Sequence, residues 1–187
     1  MYKQIFILVS KIIVDPRKTW LDLADHKDQS QDVFLKTYLY PIFGIIALFS
    51  MLGVFRNEFD IQIALKNTMN MVITVFLGFY VASFLLSELM RRYFNQEKNA
   101  KRDQFFIGYA SALVYMVYAI LAFFPEFFFV KLAMLYSVYI IWEGATSYME
   151  VGESQQVKFT LAASAIVLIS PIVVESIMFM IMPGLRI

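Results

Sequence analysis

The chain has 187 residues, 60% of them hydrophobic and 17% charged, against roughly 45–50% and about 25% in an ordinary soluble domain. So short a chain has too little interior to hide this much apolar surface, which excludes a soluble enzyme and a disordered tail. A net charge of +1, no cysteine and a single histidine, His26, leave no global case for nucleic acid and no disulfide, thiol chemistry or multi-histidine metal site, so neither cofactor nor metal is expected.

At the N-terminus, Tyr2, Ile5, Phe6, Val9, Ile12 and Ile13 recur at helical spacing, with Lys3, Gln4 and Lys11 largely opposite. This pattern predicts an amphipathic helix lying in the cytoplasmic membrane interface. Lys11 interrupts the apolar stretch and no small-residue cleavage site follows, so the segment is not a cleavable signal. Asp15-Pro16 reads as a second helix start, with the acid as cap and the proline at the first position. Trp20, Leu21 and Ala24 share one face of that helix, and Trp20 has the character of an interfacial anchor. Residues 1–36 therefore read as a cytoplasmic interfacial segment. Two roles fit it: holding the chain flat against the bilayer, or presenting a docking platform to a partner. His26 sits in the charged run Asp25-His26-Lys27-Asp28 and reads as solvated. Asp22, Asp25, Asp28 and Asp32 recur every three or four residues; a solvated face is preferred over a divalent-cation site.

Five apolar segments follow, each near the roughly 20 residues a membrane crossing needs. They cover 37–55, 67–87, 105–124, 127–149 and 159–182. Residues 37–187 thus read as a five-span domain, and the fold class as an all-α integral membrane bundle. Pro125-Glu126 leaves so short a break that spans three and four must form a tight antiparallel hairpin. Basic residues set the orientation. Lys3, Lys11, Arg17, Lys18, Lys27 and Lys36 precede span one, and Arg91, Arg92, Lys98, Lys101 and Arg102 follow span two. Lys158 follows span four. Only Arg56, Lys66 and Arg186 fall on the opposite side. The N-terminus is expected in the cytoplasm and the C-terminus across the membrane.

Asp15-Pro16-Arg17-Lys18-Thr19-Trp20 resembles the Pro-x-x-x-Trp segment that precedes the first span in bacterial proteins of the Yip domain (Ypt/Rab-interacting protein) family. Gly108-Tyr109 is similar to the Gly-Tyr of that family's third span. Pro16, Trp20, Gly108 and Tyr109 carry the resemblance, together with the five-span layout, over essentially the whole chain. It implies a membrane protein of the bacterial inner membrane. Eukaryotic members are implicated in vesicle traffic and bind prenylated Rab-type GTPases. This chain lacks their long cytoplasmic N-terminal region, so Rab binding is not carried over.

No Gly-x-Ser-x-Gly, phosphate loop or His-Glu-x-x-His occurs, and no acid–base–nucleophile set is visible. Two ionisable residues lie inside spans, where each costs about 2.5–3.5 kcal/mol on insertion scales. Counting along their helices places Lys131 in span four and Glu175 in span five at comparable depth. An ion pair lining a cavity fits these positions. Two separate near-interface residues, with Lys131 snorkelling outward, fit them equally. Pro171 precedes Glu175 by four residues on nearly the same helical face. It frees the carbonyl of Val167, and a structural kink is preferred there over a transport site. Tyr115 and Tyr118 in span three, with Tyr136 and Tyr139 in span four, are read as helix–helix glue rather than as a substrate pocket. Tyr115 and Tyr136, almost equidistant from the turn, should face each other. Thr74, Gly78 and Ala82 form a small-residue ladder in span two, and Gly44, Ala47, Ser50 and Gly53 another in span one, both read as helix-packing faces. The expected function is non-catalytic, by association with the lipid bilayer and with a membrane-protein partner or a second copy, and without nucleic acid. The alternative is a small permease or lipid-handling protein using a polar pocket between spans three, four and five.

Overall fold

The computed structural model describes residues 2–25, 29–57 and 60–181. His26, Lys27, Asp28, Met182 and Arg186, read above as a surface run, a span end and a tail charge, lie outside the described residues. The regular structure described is helical throughout: α1 (Tyr2–Val14), α2 (Pro16–Asp25), α3 (Gln31–Phe34), α4 (Tyr40–Asn57), α5 (Ile61–Tyr93), α6 (Ala100–Ala110), α7 (Ala112–Phe123), α8 (Ser137–Ser147) and α9 (Gln156–Ile181). A π-helical turn, Leu35–Leu39, joins α3 to α4, and a 3₁₀ segment, Pro125–Tyr136, leads into α8.

Four of the resulting helical stretches are each long and apolar enough to cross a membrane: Gln31–Arg56, Ile61–Tyr93, Pro125–Ser147 and Glu153–Ile181. The pair α6 and α7 passes the same test together, bent by 50° between them. These stretches overlap the apolar segments and begin before them, while Phe123 and Ser147 end one and two residues short of 124 and 149. Capping chemistry, not hydropathy, sets three of those starts. The Asp60 carboxylate accepts from the backbone N–H groups of Gln62 at 2.7 Å and Ile63 at 3.2 Å, starting α5 six residues before the apolar stretch. Asn99 Oδ1 accepts from Arg102 N at 3.0 Å and starts α6. The Ser30 hydroxyl accepts from Val33 N at 3.3 Å and starts α3.

Two departures from α-geometry have local causes. Pro41 has no N–H to give the Thr37 carbonyl, and the turn before it widens, with Tyr40 N–H reaching back to Leu35 O. After the break at Pro125, the 12-residue 3₁₀ segment contains no buried residue. At about 2.0 Å per residue it climbs further than an α-helix of equal length.

In the bundle α5 lies between α4 and α9, α7 packs on α4, and α2 lies against α8. One end gathers Arg91, Arg92, Lys98, Lys101, Arg102 and Lys158 and is called the basic end. The other carries the Pro125-Glu126 hairpin, where Arg56 pairs with Glu126 and its guanidinium lies 5.1 Å from the Phe124 ring centroid.

In α5, Thr74, Gly78 and Ala82 are buried. A Cβ on Gly78 would sit 3.2 Å from Pro171 Cα, so proline and glycine bring α5 and α9 into close contact. Gly53 is held likewise, its Cα against the Ala122 carbonyl and Phe123 Cα. Gly44 is different. It is exposed, and a Cβ there would meet open space, so among the described residues it packs against no helix.

Candidate functional site

The residues singled out by the sequence separate into two places. The first is at the basic end. Asp15 caps α2, its carboxylate accepting from Lys18 N at 3.3 Å, and Pro16 is buried at the first helical position. This start aims Trp20 inward. Its indole N–H donates to Ile140 O at 2.8 Å, and the residue is 1% exposed. The ring stacks on Phe106 at 5.0 Å, meets Tyr109 edge-on at 6.3 Å and lies 5.2 Å from Tyr148. Gly144 makes room for it, since a Cβ there would fall 2.6 Å from Trp20 Cε2. The expectation of an interfacial anchor is therefore corrected. A bundle pocket with a carbonyl acceptor satisfies both the ring and the N–H, which a headgroup region satisfies only in part.

Tyr109 extends the cluster to the start of the first crossing, with Phe34 at 5.1 Å and Tyr38 at 4.9 Å. A Cβ on Gly108 would strike the Phe34 ring. All four resemblance positions, Pro16, Trp20, Gly108 and Tyr109, thus serve one joint that docks the N-terminal helices on the bundle. Through it α1 lies along the bundle: Ile5, Val9 and Ile12 of the apolar stripe turn inward, while Tyr2 and Phe6 stay exposed.

Beside this joint sits a polar network that sequence reasoning missed. Asp103 is fully buried. Its Oδ2 accepts from the Ser87 hydroxyl at 2.6 Å, and its Oδ1 accepts from Arg102 Nε and Nη2, each at 3.2 Å. Arg102 Nη1 donates to Gln96 Oε1 at 2.6 Å, and Gln96 Nε2 donates to Met149 O at 3.2 Å. The chain ties α5, α6 and the end of α8 together. Its signal in the sequence was an acid sharing a helical face with Ile107 and Ala110, where solvent is not expected.

The second place is nearer the hairpin end. A cavity of about 380 Å³ lies between α5, α7, the 3₁₀ segment and α9, lined by Met71, Tyr118, Phe128, Lys131, Leu168 and Glu175 among others. Lys131 is exposed and Glu175 half-buried. They share the cavity, yet neither forms a hydrogen bond or ion pair with any described residue. Pro171 belongs elsewhere, against Gly78.

The tyrosines also divide. Tyr118 lines the cavity, whereas Tyr115 is buried with Phe43 edge-on at 5.3 Å. Tyr136 and Tyr139 are exposed and lie 5.4 Å apart, and the Tyr136 hydroxyl donates to Ile13 O at 3.1 Å. Tyr115 and Tyr136 do not meet face to face. The 3₁₀ segment advances and rotates span four differently from the α-helix assumed in counting from the turn. Among the described residues no group of three or more His, Asp or Glu side chains gathers as a metal site.

Comparison with known proteins agrees with the architecture. No curated protein and no solved structure matches the chain. A family model described as the Yip1 domain matches residues 10–174, from within α1 to the residue before Glu175. With its apolar crossings and the Pro16, Trp20, Gly108 and Tyr109 joint, the chain is a multi-pass membrane protein that belongs to the Yip1 domain family.

Proposed function

We propose that the chain is a bacterial-type, five-span Yip protein of the inner membrane that acts without catalysis, by association with the membrane surface and a protein partner. Its N-terminus faces the cytoplasm and its C-terminus the other side. The observation that supports this most is the burial of Trp20 in the bundle. It converts α1 and α2 from loosely attached surface helices into a fixed platform. The outward face of that platform is amphipathic, with Phe6, Ile7 and Leu21 exposed beside Lys3, Lys11 and Arg17. Such a face suits an anionic bilayer surface or a partner seated there. A homo-oligomer through the exposed Gly44 face of α4 is a variant of the same reading.

The test is photo-crosslinking in native membranes from positions Phe6 and Leu21, followed by copurification. A discrete protein adduct that disappears in Trp20→Ala is the expected result. Adducts to lipid alone would remove the protein partner from the reading. For topology, single cysteines near Lys98 and at Glu126 should be labelled from opposite sides of the membrane. Labelling of both from one side would overturn the five-span arrangement.

A second reading, a small permease or lipid-handling protein, is supported by the cavity that Lys131, Glu175 and Tyr118 line. Substrate flux in proteoliposomes, lost when Glu175 is changed to Gln, is the result it requires.

A further inference from the structure

We infer that the cavity between α5, α7, the 3₁₀ segment and α9 is a binding site for a molecule whose polar group carries both a phosphate and a primary ammonium, held between Lys131 and Glu175. The inference deepens the second reading above, since it names the ligand class, but it needs binding only and not transport.

The reasoning begins from charge. Lys131 and Glu175 lie on different crossings and border one cavity. A charge inside a membrane protein is costly unless paired, and oppositely charged neighbours ordinarily close on each other. These two do not: neither makes an ion pair or hydrogen bond with a described residue, though Lys131 has a long flexible stem. The separation leaves room between a cation donor and a carboxylate acceptor. A ligand that completes both must carry an anion and a cation a few bonds apart.

Hydrogen bonding narrows the class. A lysine ammonium offers a point charge well suited to a phosphate oxygen. Glu175, with the Tyr118 hydroxyl on the same wall, offers oxygen acceptors suited to an N–H donor. A primary ammonium supplies three such donors and a quaternary ammonium supplies none. A purely anionic ligand would meet Glu175 with like charge.

The walls favour an amphiphile. Apart from these three side chains the lining includes Phe128, Met134, Leu168 and Ile172. Phe128 is 71% exposed and Ile172 55% exposed, so the cavity continues onto the surface that faces lipid. A volume of about 380 Å³ lies at the low end of the roughly 300–1,000 Å³ found for small-molecule sites. It admits a headgroup while the chains stay outside. Pro125 also borders the cavity, which places it toward the hairpin end of the crossings, where headgroups lie.

The experiment uses the full-length protein, delipidated in detergent and offered equimolar phosphatidylethanolamine, phosphatidylcholine and phosphatidylglycerol. Native mass spectrometry reads the lipid retained. The wild type should retain phosphatidylethanolamine over each of the others by about tenfold, the scale of one charge-assisted hydrogen bond. Lys131→Met should reduce retention of all three lipids. Glu175→Gln, close in shape, should abolish the preference and admit phosphatidylglycerol. Leu168→Trp, which fills the cavity and leaves both charges, should also abolish retention. Soluble phosphoethanolamine in competition separates the two sources of this chemistry. Displacement at equal concentration would assign the site to the free compound, and no displacement assigns it to the lipid. Equal retention of the three lipids by the wild type, together with no binding of phosphoethanolamine, would overturn the inference. So would a preference unchanged in Glu175→Gln. Flux is measured separately. Retention without flux removes the permease reading and leaves the site, whereas flux without selective retention removes the site and leaves the permease.

Discussion

The two ends of the bundle treat polar groups in opposite ways. At the basic end the Asp103 carboxylate is fully buried and satisfied by Ser87 and Arg102, and the Trp20 N–H is satisfied by Ile140 O. Toward the hairpin end Lys131 and Glu175 border a cavity without a partner among the described residues, and the 3₁₀ segment that carries Lys131 buries no side chain. Dense packing in which the carboxylate and the indole N–H are answered, the buried Tyr38 hydroxyl excepted, marks a structural joint, because an unanswered buried group costs more than the hydrogen bond it would make. Charges left apart at an open cavity are tolerated only where lipid, water or a ligand completes them. The family positions fall at the joint, and the chemistry that could bind something falls at the looser end.

That contrast can be broken most directly at Trp20. Trp20→Ala should destabilise the protein by about 3–5 kcal/mol, the range for removing a large buried aromatic. It should also release α1. The chain has no cysteine, so a single cysteine placed at buried Ile12 should become reactive only in the Trp20→Ala background. Unchanged protection at Ile12 would mean that the indole is not what docks the helix.

The polar network gives the next largest effect. Asp103→Ala removes one member of a buried pair and should cost about 3 kcal/mol in thermal or denaturant unfolding. The matching change at the hairpin end, Glu126→Ala, breaks an exposed pair with Arg56 and should cost under about 1 kcal/mol. Equal losses at the two ends would erase the distinction between them.

Glycines sharpen the same comparison inside one helix. Gly53→Ala drives a methyl group into the Ala122 carbonyl and should cost about 1–3 kcal/mol. Gly44→Ala meets open space and should be neutral, or stabilise by under about 1 kcal/mol through helix propensity. A large loss at Gly44, read by unfolding together with oligomer size, would reveal a second copy packed on that face.

The smallest effect is expected at Lys131 and Glu175. In delipidated protein Lys131→Met and Glu175→Gln should add within about 0.5 kcal/mol in a double-mutant cycle, as uncoupled sites do. A coupling above about 1 kcal/mol would mean that the two charges close on each other when the cavity is empty.

The crossings, the hairpin at Pro125 and the start of α2 at Asp15-Pro16 were legible because each rests on local chemistry. Apolar length, a missing proline N–H and an aspartate cap act within a few residues. The cavity was half legible: equal depth placed Lys131 and Glu175 together, and helix order assigned the neighbouring crossings. The Tyr115–Tyr136 encounter failed because it assumed α-helical rise through a segment that is 3₁₀. Asp103 was overlooked because its neighbours in sequence, Lys101 and Arg102, made the segment look like a solvated loop.

The sequence by itself determined that this chain lives in a membrane, where α2 begins, and which family it joins, because these follow from hydropathy, a local cap and short motifs read along the chain. Only the tertiary structure decided that Trp20 points into the bundle and not into the headgroups. It also decided that Gly53 is a contact and Gly44 is not, and that Pro171 serves Gly78 and not Glu175. A helix presents several faces of similar composition to lipid or to its neighbours. Which face turns inward depends on partners distant in sequence, such as Ile140 for Trp20 and Ala122 for Gly53, whose positions no local pattern encodes.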